Sequence, residues 1–154
     1  MMSSMGGETP LKDADAALRA QQQAAAMQKG DAVSRSLNIR VSEVAPGLAT
    51  THMLVTTSMV NGHGICHGGY LFMLADTAFA YACNTHGVPV VGAGADVTFL
   101  APAREGEELV ATATERALRG RSGLYDVTVR RGTEVLVEFR GRSRSLPEPA
   151  KLSV

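Results

Sequence analysis

Between Asn61 and Thr77 the chain reads Asn-Gly-His-Gly-Ile-Cys-His-Gly-Gly and then Tyr-Leu-Phe-Met-Leu-Ala-Asp-Thr, and the residue types able to do chemistry gather there. Gly68 and Gly69 mark the point where a glycine-rich stretch becomes continuously apolar. Glycine lets a backbone approach a ligand closely, and the first N–H groups of a helix have no partner inside it, while the helix dipole adds positive potential at that end. Such a spot suits a developing oxyanion, although a glycine pair also serves as a plain flexible turn. Asp76 is the second chemical group. Its helix neighbours three or four positions away are Phe72, Met73, Phe79 and Ala80, none of which pairs with a carboxylate. Bare burial of an acid is costly. Either a group from elsewhere satisfies Asp76, or it lines a cavity that substrate or water reaches, with a raised pKa. Thr77 follows directly, placed to hold a water or the carboxylate, or to bond its own helix backbone.

Geometry links the glycine to the acid. Eight positions of helix separate Gly68 from Asp76, ~12 Å along the axis, which is too far for one small reacting group whose partners lie about 3 Å away. An antiparallel second copy of the helix would bring Asp76 of one chain opposite Gly68 of the other, which predicts a twofold dimer with two shared sites.

Elements of definite kinds must carry these groups. Residues 1–10 are small and polar and predict disorder. Residues 11–36 form an N-terminal helical segment: Leu11 to Lys29 is rich in Ala and Gln, with a weak apolar face and Gly30 as terminator, and Asp31 caps a short turn through Ser36. Alternation from Leu37 to Val44 predicts a strand, Pro46-Gly47 a turn and Leu48 to Thr57 the returning strand. Tyr70 to Thr85 predicts a helix that is apolar almost all the way round and so must be enclosed, with Gly87 and Pro89 ending it. Four strands follow, Val90 to Leu100, Glu107 to Leu118, Leu124 to Arg131 and Glu134 to Ser145, separated by turns at Pro102 to Gly106, Arg119 to Gly123 and Arg131-Gly132. One antiparallel sheet curling around one long buried helix satisfies this order, an α+β domain over residues 37–146 with a tail at 147–154.

Composition narrows the function. A chain of 154 residues fits one domain, and its 15 basic and 15 acidic residues leave no net field to hold nucleic acid or an anionic membrane. No apolar run approaches the roughly 20 residues of a membrane span, since Asp76 and Asn84 interrupt the best candidate. With no readable secretory signal, Cys66 and Cys83 are expected to be reduced, in a cytoplasm. Both cysteines sit beside helix-core positions without an ordered Cys–His–acid set, which favours small buried side chains over nucleophiles. His63, Cys66 and His67 crowd together, yet the interleaved glycines and the lack of a second close ligand pair argue against a metal site. Arg119-Gly120-Arg121-Ser122-Gly123 offers guanidinium and N–H donors suited to phosphates, although a basic glycine turn is also an ordinary solvated hairpin. Arg104 stands apart from that set, and Arg140, Arg142 and Arg144 alternate as the wet face of a last strand does.

Asn61-Gly62-His63, Cys66-His67-Gly68-Gly69 and the run from Leu74 to Asn84 resemble the hotdog-fold acyl-CoA thioesterases, and within them the phenylacetate-pathway branch that hydrolyses phenylacetyl-CoA-like thioesters. The resemblance covers roughly residues 37–146; the longer Ala/Gln-rich start lies outside it. It implies Asp76 as the catalytic carboxylate, Gly68 N–H polarising the thioester carbonyl, Asn61 positioning water or substrate, and His67 supporting the loop near the carbonyl. Thr77 belongs with that catalytic group, and Gly69 with the substrate. It also implies coenzyme A near the turn of Arg119, Gly120, Arg121 and Ser122, no cofactor, and a homodimer that in similar enzymes often pairs into a tetramer. A thiolate leaves readily, so one carboxylate and one oxyanion donor can suffice. Asp76 then acts either as base toward a water or as nucleophile through a mixed anhydride. Two other readings stand beside this one. A hotdog dehydratase or hydratase needs a histidine working with an acid, and a non-catalytic acyl-CoA-binding regulator would use the N-terminal helix on a partner.

Overall fold

The computed structural model describes residues 9–147. Helix α1 runs from Thr9 to Gly30, so it begins inside the stretch expected to be disordered, with Pro10 in the first turn where a missing N–H is harmless. The rest of that stretch, and the tail after residue 147, lie outside the described residues. Asp31 then caps the short α2, Ala32–Ser36, its carboxylate accepting from the Ser34 N–H at 3.0 Å. Asn38 has φ of +53°, a left-handed conformation that asparagine tolerates better than most residues. Strand β1 therefore starts at Arg40 and ends at Ala45, later than the alternation from Leu37 predicts.

A hairpin through Pro46 and Gly47 leads into β2, Leu48–Leu54. After α3, Gly68–Cys83, come β3, Val90–Phe99, β4, Glu108–Arg119, β5, Ser122–Arg131, and β6, Glu134–Ser145. The six strands form one sheet in the order β1-β2-β4-β5-β6-β3, each neighbouring pair antiparallel, and α3 packs against every strand. The α+β arrangement of a sheet around one long helix expected from the sequence is thus present.

Helix α3 begins two residues before the expected Tyr70 because His67 caps it, Nδ1 accepting the Gly69 N–H at 3.0 Å. It ends at Cys83 because Asn84 turns its side chain back, donating to Ala80 O at 2.9 Å and exchanging bonds with both backbone groups of Val90 at 2.9 and 3.0 Å. Leu74, Ala75, Ala78 and Ala82 are wholly buried and share one core with Leu109, Val127, Val129 and Val137. The Phe79 ring lies edge-on to Tyr125 at 5.6 Å and tilted against Phe139 at 5.8 Å.

The expected complete enclosure of this helix is not achieved by one chain. Met73, Asp76 and Ala80, three or four residues apart on one face, stay half-buried, because a sheet covers only the side of a helix that it touches. Strand β3 lies at one edge of the sheet, and its Val91 and Phe99, with Leu100 just after it, are about half exposed. Helix α1 packs beside β1, burying Ala20 and Ala24. No helix among the described residues is long and apolar enough to cross a membrane.

Candidate active site

The glycine-rich approach to α3 is pinned on both sides. Cys66 N–H donates to Ala103 O at 2.7 Å and His67 N–H to Met59 O at 2.8 Å. Asn61 organises the loop between them: its Oδ1 accepts from the N–H groups of His63 at 3.0 Å and Ile65 at 3.4 Å. That leaves the Asn61 side-chain NH2 without an acceptor among the described residues, able to donate outward. The first turn of α3 divides its N–H groups. Gly69 gives its proton to His67 and Tyr70 bonds His67 O at 3.0 Å, while the Gly68 N–H has no acceptor among the described residues. Gly68 also has to be small. A Cβ there would lie 3.2 Å from the end of the Phe99 ring. Asn61, Gly68, Leu71 and Phe99 line one groove of about 360 Å³, so the unpartnered N–H, the free amide and the helix dipole converge on it.

Asp76 faces a different cavity, about 500 Å³ in volume, lined by Met27, Phe79, Ala80, Cys83 and Asn84 together with the start of β3. Its carboxylate has no hydrogen bond or ion pair among the described residues, and burial pushes its pKa above the usual carboxylate value. No arginine locks it. Asn84 is the other polar side chain on that wall, and its amide is already spent on Ala80 and Val90. Asp76 is therefore the one uncommitted polar side chain on that wall, the arrangement expected of an acid that works on a bound group.

Within one chain the two halves of the site remain in two cavities, as eight residues of helix require. The Thr77 hydroxyl donates to Met73 O at 2.7 Å, which leaves only its lone pairs to meet water and lies outside both cavities' walls. Burial pushes the Cys66 thiol up to about 11 and the Cys83 thiol up to about 12. Both are free, buried and protonated at neutral pH.

The basic turn is divided as well. Arg121 Nε and Nη2 donate to Ser145 O at 3.2 and 2.9 Å, tying the hairpin to the end of β6, while Gly120, with φ of +55°, makes the bend. Arg119 and Ser122 instead face a cavity of about 450 Å³ on the outer side of the sheet, with Arg142 and Arg144 on its other wall. Those two arginines fit the wet face expected of them, Arg142 paired with Asp96 at 2.6 Å and Arg144 donating to Ser122 Oγ at 3.1 Å. Their convergence with Arg119 was hidden in the sequence, because only the β5–β6 register brings Ser122 beside Arg144. Met27 was missed too. It comes from a helix whose alanine face gave no strong signal.

Comparison with known proteins adds kinship to this geometry. The thioesterase superfamily pattern matches residues 63–138, the stretch that holds Gly68 and Asp76. The acyl-coenzyme A thioesterase PaaI of Escherichia coli is 42% identical over 129 residues, 83% of this chain and 92% of that protein. A solved structure of E. coli PaaI, from the phenylacetic acid degradation operon, superposes with a TM-score of 0.83 at 40% identity, covering 85% of this chain and 96% of the other. A mutant of the phenylacetic acid degradation protein PaaI from Thermus thermophilus superposes with a TM-score of 0.71 at 34% identity, over 73% of this chain and 97% of the other.

Proposed function

The chain belongs to the thioesterase superfamily, and on that footing we propose that it hydrolyses acyl-CoA thioesters of the aryl-acetyl kind, such as phenylacetyl-CoA or its hydroxylated derivatives, to the free acid and CoA. One observation carries the proposal: a half-buried carboxylate with no partner among the described residues, Asp76, facing a cavity whose other side chains are apolar or already bonded. The thioester oxygen takes the free Gly68 N–H at the start of α3, where the helix dipole favours the negative charge that develops. Asn61 NH2 donates beside it and His67 holds the turn through Gly69. Asp76 removes a proton from a water as that water adds to the carbonyl carbon. The tetrahedral intermediate then collapses, the C–S bond breaks, and the thiolate of CoA leaves and takes a proton. In this scheme Thr77 braces the helix through Met73, and Gly69 lets the turn lie close to the substrate. The cavity of Arg119, Ser122, Arg142 and Arg144 holds CoA phosphates, with Gly120 and Arg121 shaping the hairpin.

Two copies complete each site. The half-buried face of α3 and the exposed edge of β3 supply one continuous surface, and a twofold axis across it lays the helices antiparallel, with Asp76 of one subunit opposite Gly68 of its partner. Dimers then pair into tetramers, as in similar enzymes. The free, buried cysteines suit a reducing cytoplasm. A hydratase is disfavoured because the helical turn after Asp76 carries Phe79, Ala80 and Tyr81 and no histidine to work with the acid.

The test is thiol release from phenylacetyl-CoA, with hydration of an enoyl-CoA measured alongside. Mixed subunits carrying Gly68→Pro and Asp76→Asn should regain activity that neither variant shows alone, because half of the sites in a hybrid keep both groups. Silence in verified hybrids would sink the shared site, and hydration without free thiol would replace the hydrolase reading.

A further inference from the structure

We propose that α1 forms part of the acyl pocket and that Met27 on it determines which acyl groups are accepted. This rests on the reading of Asp76 as the catalytic carboxylate. The wall of the Asp76 cavity is built from α3, its cap residue Asn84 and β3, together with Met27, which reaches in from the N-terminal helix. With Asn84 committed to backbone, Asp76 is the one side chain on that wall with an uncommitted polar group, and the other side chains there are apolar or bonded. A ligand that fits brings an apolar body with one reactive atom near Asp76, which describes the acyl half of a thioester and not its nucleotide.

Met27 is held in place from both ends of its helix. Upstream, the Arg19 stem lies against the turn after α3, so close that a Cβ on Gly87 would stand 2.9 Å from Arg19 Cδ. Ala20 and Ala24, seven and three residues before Met27, are buried with 0% and 7% exposure. Downstream, Asp31 lies one helical turn beyond Met27 and accepts the Tyr81 hydroxyl at 3.1 Å. Tyr81 follows Ala80, itself on the cavity wall. Met27 therefore cannot drift from the cavity without exposing the alanines or breaking a bond to a charged group. Tyr81 and Asp31 act as positioning residues for it. The chemistry also favours a flat aromatic group, since an unbranched thioether adapts to a ring and makes favourable sulfur–aromatic contacts.

The experiment compares kcat/KM for phenylacetyl-CoA and acetyl-CoA in the full-length chain. Met27→Ala should lower the phenylacetyl/acetyl ratio about tenfold, through KM, and leave acetyl-CoA hydrolysis within about twofold of wild type. Met27→Leu should largely retain the ratio. Met27→Trp, which fills the space and does not open it, should exclude the phenylacetyl group while sparing acetyl. Tyr81→Phe should shift the ratio in the same direction as Met27→Ala, by a smaller factor, with acetyl-CoA hydrolysis left close to wild type. A ratio unchanged in both folded Met27→Ala and Met27→Trp overturns the proposal. Failure of the catalytic reading looks different: Asp76→Asn would then keep its turnover with both thioesters, whatever the Met27 variants do.

Discussion

Replacing Asp76 by asparagine should remove activity and raise stability at once, because the same lack of a partner underlies both. For the reaction, removing a positioned general base costs about 10²- to 10⁴-fold in rate, which is roughly 2.7–5.5 kcal/mol of barrier. For the fold the sign runs the other way. Burial raises the Asp76 pKa above its value of 3.8 in an exposed chain. A carboxyl group raised on folding contributes stability that is fully present below the unfolded value and lost as pH rises through the folded one. At neutral pH the native chain thus carries an ionised group that its surroundings disfavour, and the near-isosteric amide relieves it. Since the carboxylate still meets solvent, the gain is discounted for screening to about 0.5–1 kcal/mol, or roughly 1–4 °C in Tm at this chain size. Thiol release with phenylacetyl-CoA and thermal unfolding at pH 7 and near pH 4 measure both effects, and the Tm difference should shrink on acidification. Unchanged turnover, or an Asp76→Asn variant that melts below wild type at neutral pH, would refute the reasoning, because the second result requires a carboxylate that was satisfied after all.

Two further substitutions probe the support of the site. Asp31→Ala loses the α2 cap and the Tyr81 bond, and should cost about 1–2 kcal/mol in denaturant unfolding at neutral pH. Its pH signature is opposite to that of Asp76. Burial pushes the Asp31 pKa up, but the Ser34 hydroxyl and N–H and the Tyr81 hydroxyl outweigh it and hold the carboxyl below its ordinary value. The stability it lends is therefore present above 3.8 and lost as pH falls through the folded value, so the gap between variant and wild type should close in acid. Gly141→Ala places a Cβ 2.7–2.8 Å from three atoms of the Phe79 ring, and overpacking of this kind should destabilise by about 1–3 kcal/mol. Calorimetry should show a lower Tm, and the displaced ring should narrow the Asp76 cavity and raise KM for bulky acyl groups.

Much of this arrangement was legible in the sequence wherever one residue contradicts its surroundings. Asp76 among Phe72, Met73, Phe79 and Ala80 reads as an anomaly in any helix, and the run of helical positions from Gly68 already forbids one chain from closing the site. Strands were legible through β-branched residues broken by Pro46-Gly47 and Arg131-Gly132. What stayed hidden depends on packing between elements far apart in sequence. The face of α1 that meets the domain is largely alanine, which fits by being small and not by being greasy, so neither its partner nor Met27 shows as a periodic signal. Strand ends shifted where side chains overrode propensity, at Asn38, and helix ends where His67 and Asn84 bond backbone. The cluster of Arg119, Arg142 and Arg144 needs the strand register, which alternation along one strand does not contain.

The Phe79 ring fills a notch in the sheet that two missing side chains leave open: a Cβ on Gly141 would strike it, and one on Gly92 of the next strand would come within 3.3 Å. A knob seated in such a keyway stops the helix from rolling about its long axis. Since Asp76 sits less than one turn earlier on that rod, the two glycines index the bearing of the carboxylate without touching it. Re-aiming the acid would then begin on the sheet at Gly92 and Gly141, whereas reshaping the space in front of it would begin on the first helix.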